Sequence, residues 1–230
     1  MVLSYTRAAW ISLIAAIIFG LIIYLRINIK LVIFVGLATI IALFVFRLEI
    51  IDKLDKNKQD SSTDLNEHVK SISNIATDAS NLERINRWSS ALKMFKEKPV
   101  FGWGSGTYMF KYAAFQKADD KTIISTNFGE VGNTHSEYIG PLAERGFIGI
   151  LSILAIIFFT LKTALNVYAK SDNKQVKNLV LSLIMGLTTY YIHGLLNNYL
   201  DTDKASVPFW GFTAIIVYLD IKKTITTNQL

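Results

Sequence analysis

Five blocks of apolar residues, most of them long enough to cross a bilayer, constrain this chain more than any other feature. The blocks are Ala8–Leu25, Leu31–Phe46, Phe147–Leu161, Leu179–Leu196 and Val207–Leu219. A hydrocarbon core of about 30 Å takes about 20 helical residues, so the shortest block must draw on its flanks. Blocks this continuous exclude the alternating strands of a barrel. The sequence therefore predicts an all-α, polytopic membrane helix bundle with about five transmembrane helices.

The composition supports that fold class. Hydrophobic residues make up 51% of the 230 residues and charged residues 18%, and the charges lie mainly between the apolar blocks. The absence of cysteine excludes disulfides, thiolate nucleophiles and Cys-ligated metals. The net charge of +6 is typical of the positive-inside pattern, and no stripe of arginines and aromatics indicates a nucleic-acid partner.

Lysines and arginines in the short loops predict the orientation. Those in the loops after the first and third spans and in the C-terminal tail fall on one side of a five-span bundle, and that side should be cytoplasmic. They are Arg26, Lys30, Lys162, Lys170, Lys174, Lys177, Lys222 and Lys223. The prediction is two transmembrane helices in 1–51, a periplasmic loop with amphipathic helices in 52–141, and three transmembrane helices with a cytoplasmic C-terminus in 142–230. Because the chain then starts outside, we expect the C-terminal part of a longer protein or a truncated reading frame.

The long loop has internal order. Residues 52–80 have the polar composition of a linker, and an amphipathic helix follows, with Trp88, Leu92 and Phe95 at helical spacing and Pro99 after its end. A glycine-rich segment, 101–107, comes next. Successive backbone N–H groups there could bind an anion, but the segment lacks the Lys-Ser/Thr of a phosphate loop. A structural turn is the favoured interpretation.

Three segments in this order resemble the O-antigen ligase and polymerase family of bacterial envelope glycosyltransferases. They are Arg84-x-x-x-Trp88 with the glycines of 102–106, His135-Ser136-Glu137-Tyr138, and the Leu-Ala-Glu-Arg-Gly-Phe-Ile-Gly of 142–149. The opening segment around Arg7 and the last helices are also similar, so the resemblance covers the whole chain but only the C-terminal half of a usual member. One departure is Ser136, where the family usually has Asn.

The resemblance implies a location and a reaction. A glycan would pass from undecaprenyl pyrophosphate to a sugar hydroxyl of an acceptor glycan or lipid A-core, at the outer face of the bacterial inner membrane. The partners are therefore membrane lipid, the lipid-linked donor and the acceptor. Position by position, the family's catalytic two arginines and one histidine match Arg7, Arg84 and His135, with no metal and no other cofactor.

The chemistry fits these residue types. Charge develops on a leaving pyrophosphate, and a guanidinium offers a permanent charge with a planar fork of donors. A histidine near neutral pKa is a common general base for an attacking hydroxyl. The alternatives are that Arg7 and Arg84 anchor the chain at the lipid interface, and that His135 only caps a helix or is solvated.

Four further residues are predicted to bind substrate: Arg87, Glu137, Glu144 and His193. Arg87 would be a second phosphate contact, and Glu137 could orient His135. Glu144 could instead pair with Arg145 at the start of the third span. His193 lies in an apolar block, where an ionisable residue indicates function, or it forms a structural hydrogen bond with Asn197.

Two function classes remain open. The first is the ligase or polymerase. The second is a non-catalytic or truncated membrane module that binds lipid-linked glycan or a partner protein. In-frame upstream sequence encoding further helices would favour the enzyme, and a transporter is disfavoured because the spans lack paired acidic residues and broken helices.

Overall fold

The computed structural model describes residues 7–28, 79–116 and 132–228. In these ranges the chain forms six α-helices and one 3-10 helix, without any strand. They are α1 Arg7–Tyr24, α2 Ala79–Glu97, α3 Tyr108–Lys111, η1 Tyr112–Phe115, α4 Ile139–Lys170, α5 Lys174–His193 and α6 Asp203–Asn228. The predicted all-helical class is confirmed for this part of the chain. The second predicted span, Leu31–Phe46, and the linker 52–78 lie outside the described residues.

Helices α1, α4, α5 and α6 form what we call the membrane bundle, residues 7–28 and 147–228. Ile139–Lys170 and Asp203–Lys222 are long and apolar enough to cross a membrane, and Ala8–Tyr24 is a shorter apolar helix. Only 17% and 11% of the most apolar stretches of the two long helices are buried. Apolar side chains that face outward to this extent indicate a lipid environment. The count of five spans stays a prediction.

The bundle has a narrow core along the seam of α4, α5 and α6. Its buried residues are Ala164, Val167, Val180, Leu183, Ile184, Leu187, Tyr191, Phe209 and Ile216. Helix α1 packs on α5, with Phe19 and Ile23 against this core. Gly20 allows the close approach, because a Cβ there would lie 2.6 Å from the Met185 sulfur.

The remaining described residues form a second unit, which we call the polar unit, residues 79–116 and 132–146. Its apolar core contains Ala91 and Met94 of α2, Tyr108, Tyr112, and Ala143 of α4. The amphipathic helix is thus confirmed as α2, but the predicted apolar face is wrong in part, because Leu92 is exposed. The buried face instead includes Asn86 and Ser90, where Asn86 Nδ2 donates to Gln116 and the Ser90 hydroxyl donates to the Asn86 carbonyl.

A kink in α4 joins the two units. Gly146 has φ 64° and ψ −154°, which interrupts the helical ladder. The carbonyls of Ala143 and Glu144 accept instead from Trp103 and Gly104, and Phe147 N–H donates to the Pro99 carbonyl at 2.7 Å. A Cβ on Gly102 would lie 2.3 Å from the Glu144 carbonyl carbon, so only glycine fits. The glycine-rich segment is therefore a structural turn that docks α2 onto α4, as favoured from its sequence.

Candidate active site

One turn of α2 carries the charged residues of the site. The Arg87 Nε donates to the Glu83 carboxylate at 2.7 Å, and the two side chains are only 11% and 3% exposed. The phenol of Tyr108 donates to the Arg87 carbonyl, and the Arg87 guanidinium lies 5.7 Å from the Tyr112 ring centroid. A buried ion pair at i,i+4 spacing with an aromatic ring beside it fixes the guanidinium in one direction.

Two hydrogen bonds fasten the segment 132–136 to this turn, and a third lies within the segment. Trp88 Nε1 donates to the Thr134 carbonyl at 2.9 Å, and Arg87 Nη1 donates to the Asn133 carbonyl at 3.1 Å. The His135 N–H donates to the Asn133 side chain at 3.1 Å. Residues 46 to 48 positions apart in the chain thereby meet, and His135 Nε2 lies 3.4 Å from Arg87 Nη1. The fold therefore brings a histidine and a buried arginine together.

His135 has an uncommon backbone conformation. Its φ is 48°, in the left-handed region where residues other than glycine cost about 1–2 kcal/mol. Strained residues of this kind concentrate at active sites, where the surrounding contacts hold them in place. Here the hydrogen bonds at Asn133 and Thr134, the two residues before His135, supply that restraint. The strain therefore indicates a functional role for the imidazole's direction.

The electrostatics of the site keep His135 neutral. Burial, together with the positive charges of Arg87 and Arg84 and against the opposing charge of Glu83, lowers the pKa of His135 to about 4. The imidazole is consequently unprotonated at neutral pH. Arg84, one of the predicted catalytic residues, lies close enough for its charge to act on the ring, but the contact with His135 belongs to Arg87.

Ser136, which stands where the resembled family usually has Asn, has a structural role in this fold. Its buried hydroxyl accepts from the N–H groups of Tyr138 and Ile139, at 3.3 and 3.4 Å, where α4 begins. An Asn side chain can accept the same N–H groups at a helix start. Serine therefore preserves a structural role that asparagine could fill, and the direction of His135 is unaffected.

Two predicted contacts of the acidic residues are wrong. Glu137 does not orient His135, because its carboxylate accepts from the Tyr190 hydroxyl at 2.5 Å and from Leu200 N–H at 2.8 Å. Burial raises the pKa of that carboxyl. Glu144 does not pair with Arg145, whose side chain is exposed, because it accepts from the N–H of Tyr108 at 3.0 Å. Both carboxylates fasten helix α4 to its neighbours, and a role in substrate binding stays a prediction.

His193 and Arg7 lie apart from this arrangement. His193 is the last residue of α5, and its Nε2 accepts from Asn197 Nδ2 at 2.8 Å, which confirms the hydrogen-bonded pair. Arg7 is the first residue of α1, but its side chain is outside what the structure describes. The catalytic role of Arg7 and the substrate role of His193 stay predictions.

A cleft of about 470 Å³ lies against the 132–136 segment. Asn133, Thr134 and Ser136 form one wall. The charged lining is Glu137, Glu144, Arg145 and Asp201. Three carboxylates against one guanidinium make it an unfavourable place for a pyrophosphate and a suitable one for sugar hydroxyls.

A second cleft of about 370 Å³ continues from the first along the bundle. The two clefts share Glu137, Pro141, Arg145 and Asp201. Its walls are mainly apolar, and they include Ile153, Ile156, Ile157, Phe209 and Trp210. Within the described ranges no three His, Cys, Asp or Glu residues gather in a group that could hold a metal ion.

Sequence reasoning missed two residues of the candidate site, Glu83 and Asn133. Glu83 could have been found, because it stands four residues before Arg87 on a predicted helix, the spacing of an ion pair. Asn133 could not, because its side-chain bond to the His135 N–H and its carbonyl bond to Arg87 depend on how a loop meets a helix 46 residues away.

A helix bundle with outward apolar surfaces defines the class as an integral membrane protein, and comparison with known proteins identifies the family. Residues 1–154 match the family described as O-Antigen ligase. The match covers more than half of the chain, so this protein belongs to the O-antigen ligase family, which confirms the resemblance drawn from its motifs. Arg7, Arg84 and His135 all lie inside the matched residues, and His193 lies outside them.

The chain is also 26% identical, over 231 aligned residues, to an uncharacterized protein of Haemophilus influenzae. The alignment covers 94% of this chain and 52% of that protein. The chain thus spans about half the length of the curated relative that it matches. No solved structure matches it.

Proposed function

We propose that this chain carries the catalytic region of a metal-independent O-antigen ligase or polymerase. It transfers a glycan from undecaprenyl pyrophosphate to an acceptor sugar hydroxyl at the periplasmic face of the inner membrane. The observation that supports this most is the neutral His135, held beside Arg87 and within the field of Arg84. An unprotonated imidazole next to fixed cations provides a base and an anion site together.

The transfer step uses these groups in defined roles. The acceptor oxygen attacks the anomeric carbon of the donor and gives its proton to the imidazole of His135. The bond from that carbon to the phosphate oxygen breaks, and its electron pair leaves with the pyrophosphate. Arg84, with Arg7 from the start of α1, stabilises the charge that develops on the leaving oxygen. Guanidinium groups thereby supply the positive charge in place of a metal.

The sign of the charges around the 132–136 segment supports separate places for the donor and the acceptor. The region of Arg84 and Arg87 is cationic and takes the pyrophosphate. The cleft lined by Glu137, Glu144 and Asp201 takes the acceptor sugar, since carboxylates accept hydrogen bonds from hydroxyls and repel a second anion. The apolar cleft that continues from it gives room for lipid attached to a substrate.

The test is glycan transfer in proteoliposomes from an undecaprenyl-pyrophosphate-linked donor. We expect His135→Ala to lower the rate by about 10²–10⁴-fold, the usual contribution of a general base. Arg84→Ala should lower it by about 10²–10³-fold, as for loss of one stabilising donor. His68→Ala removes a histidine from the predicted linker and should leave the rate unchanged.

Each other outcome has a meaning. Transfer that neither substitution reduces would refute the site assignment. No transfer from the unaltered chain, while its far-ultraviolet spectrum stays helical, would favour the second function class, a membrane module that needs the remaining half of a longer protein.

A further inference from the structure

We propose that Arg87 is a positioning residue that holds His135 as the Nδ1–H tautomer and blocks its Nε2 until a bound diphosphate draws the guanidinium away. This deepens the proposed function and rests on it. The donor must then bind before the acceptor hydroxyl can lose its proton, so the basic nitrogen becomes available only when a leaving group is present.

The tautomer follows from hydrogen-bond chemistry. A guanidinium only donates, because it has no acceptor lone pair. With Arg87 Nη1 at 3.4 Å from His135 Nε2, that ring nitrogen is the acceptor. A neutral imidazole has one N–H, which therefore resides on Nδ1. The single ring lone pair able to take a proton is the one that faces Arg87.

The guanidinium has its direction fixed by other partners. Glu83 holds its Nε at 2.7 Å, and the Asn133 carbonyl accepts from the same Nη1 at 3.1 Å. The two hydrogens of Nη1 thus serve Asn133 and His135. Glu83 and its partner are both buried, so the arrangement is set before any substrate arrives.

The charges around the imidazole also favour a neutral ring that responds to a bound diphosphate. Among the described residues, the groups acting on His135 are Arg87, Arg84 and Glu83, all from one turn of α2. Two guanidinium charges against one carboxylate disfavour the imidazolium. A diphosphate binding at Arg87 would offset a positive charge and accept its N–H groups. Because the guanidinium is planar and rigid, a diphosphate that draws Nη1 from His135 turns the whole group, and Glu83 follows its Nε by a small rotation of the carboxylate.

The measurement is the ring ¹⁵N spectrum of histidine-labelled protein in lipid nanodiscs across pH, with His135 assigned by His135→Gln. We expect a neutral ring with protonated Nδ1 at pH 7. Inorganic pyrophosphate, the probe, should raise the His135 pKa by about one unit or more, as removal of a nearby like charge does. Arg87→Gln should raise it without the probe and abolish the response.

The controls separate charge from geometry. Lys96→Gln removes one positive charge from the same helix at an exposed position and should change nothing. Arg87→Lys keeps the charge without the planar fork. It should keep the His135 pKa low while the preference for the Nδ1–H tautomer weakens.

The unaltered chain keeps the proposal testable even if Arg87 variants misfold. An imidazolium at pH 7, a ring protonated on Nε2, or no response to pyrophosphate would each overturn it. Transfer that depends on His135 without any of the expected ring signals would sink this inference and leave the proposed function standing. The expected ring signals without any glycan transfer would contradict the proposed function and leave the described behaviour of Arg87 and His135 standing.

Discussion

The membrane bundle and the polar unit bury their residues in opposite ways. In the bundle, Phe158 and Phe159 of α4 are 59% and 60% exposed, and the core is a narrow seam between helices. In the polar unit, Met94 and Tyr112 are fully buried, together with Glu83, Asn86 and Ser90. Lipid solvates apolar surface, so a bundle in lipid needs little interior. A unit facing water must hide its apolar groups and pair the polar groups it buries.

The difference explains where a charged candidate site can lie. Charged groups are costly in hydrocarbon, so the bundle cannot readily hold two arginines and a histidine together. The polar unit can hold them, because Glu83, Asn133 and Tyr108 satisfy the charges and the backbone. The kink at Gly146 then fixes that unit to the end of the bundle, where a lipid-linked substrate would reach it.

The largest expected effect is a difference in the stability lost when a side chain is truncated in the polar unit and in the membrane bundle. Met94→Ala in the polar unit should cost about 2–5 kcal/mol, since it opens a cavity in a closed core. Leu154→Ala, at a 47% exposed position of α4, should cost less than about 1 kcal/mol, because detergent or lipid replaces the lost contacts. Denaturant unfolding in micelles, followed by tryptophan fluorescence, measures both. Equal losses would mean that the bundle interior is as closed as that of the polar unit.

A smaller expected effect tests the glycine-rich turn that joins the polar unit to the membrane bundle. Gly102→Ala meets both a positive φ of 67° and the Glu144 carbonyl, so we expect a cost on the order of 3 kcal/mol and faster hydrogen exchange at Trp103 and Gly104. Gly106→Ala has a φ of 74° with open space around it and should cost only about 1–2 kcal/mol.

The matching change in the bundle is Gly211→Ala, which has nothing within 4 Å and lies in helix α6. It should be neutral or stabilising by up to about 1 kcal/mol, from helix propensity alone. If Gly102→Ala and Gly211→Ala behaved alike, the turn would not be the joint that we describe.

A further expected effect is a pH dependence confined to the polar unit. The folded pKa of His135, about 4, lies below the value of about 6.5 for an unfolded chain. The unfolded state therefore binds more protons between these values, and the stability of the polar unit falls as the pH drops from about 6.5 to about 4. His135→Gln should flatten that part of the curve. Hydrogen exchange of α2 amides at several pH values measures the effect, and a slope unchanged in the variant would contradict it.

Prediction from sequence was most successful for the elements with a local signal. The third and fifth apolar blocks lie in α4 and α6, and the predicted α2 ends at Glu97, before Pro99. The short fifth block does draw on its flanks, since Asp203–Lys222 is long enough to cross a membrane. The predicted face of α2 failed at Leu92, because the periodicity of apolar residues cannot foresee that Asn86 and Ser90 are buried with donors that find partners in the fold.

The candidate site was predicted by residue type but not by contact. Arg84, Arg87 and His135 were named from the sequence, and both arginines act on His135 in the fold. Which arginine lies against the imidazole was not predictable, since residues three apart lie on nearly the same face of a helix. The partners of Glu137 and Glu144 were wrong for the same reason, because they come from residues 36 to 63 positions away in the chain.

The sequence by itself determined the membrane class, the helical elements, the turn and the family, because hydropathy, helix periodicity and glycine spacing act over a few residues. Only the tertiary structure decided that Arg87 contacts His135, that the ring is held neutral, and that carboxylates line the neighbouring cleft. Those properties arise from burial and from charges brought together across 46 to 48 positions of chain, and no local pattern encodes such distances.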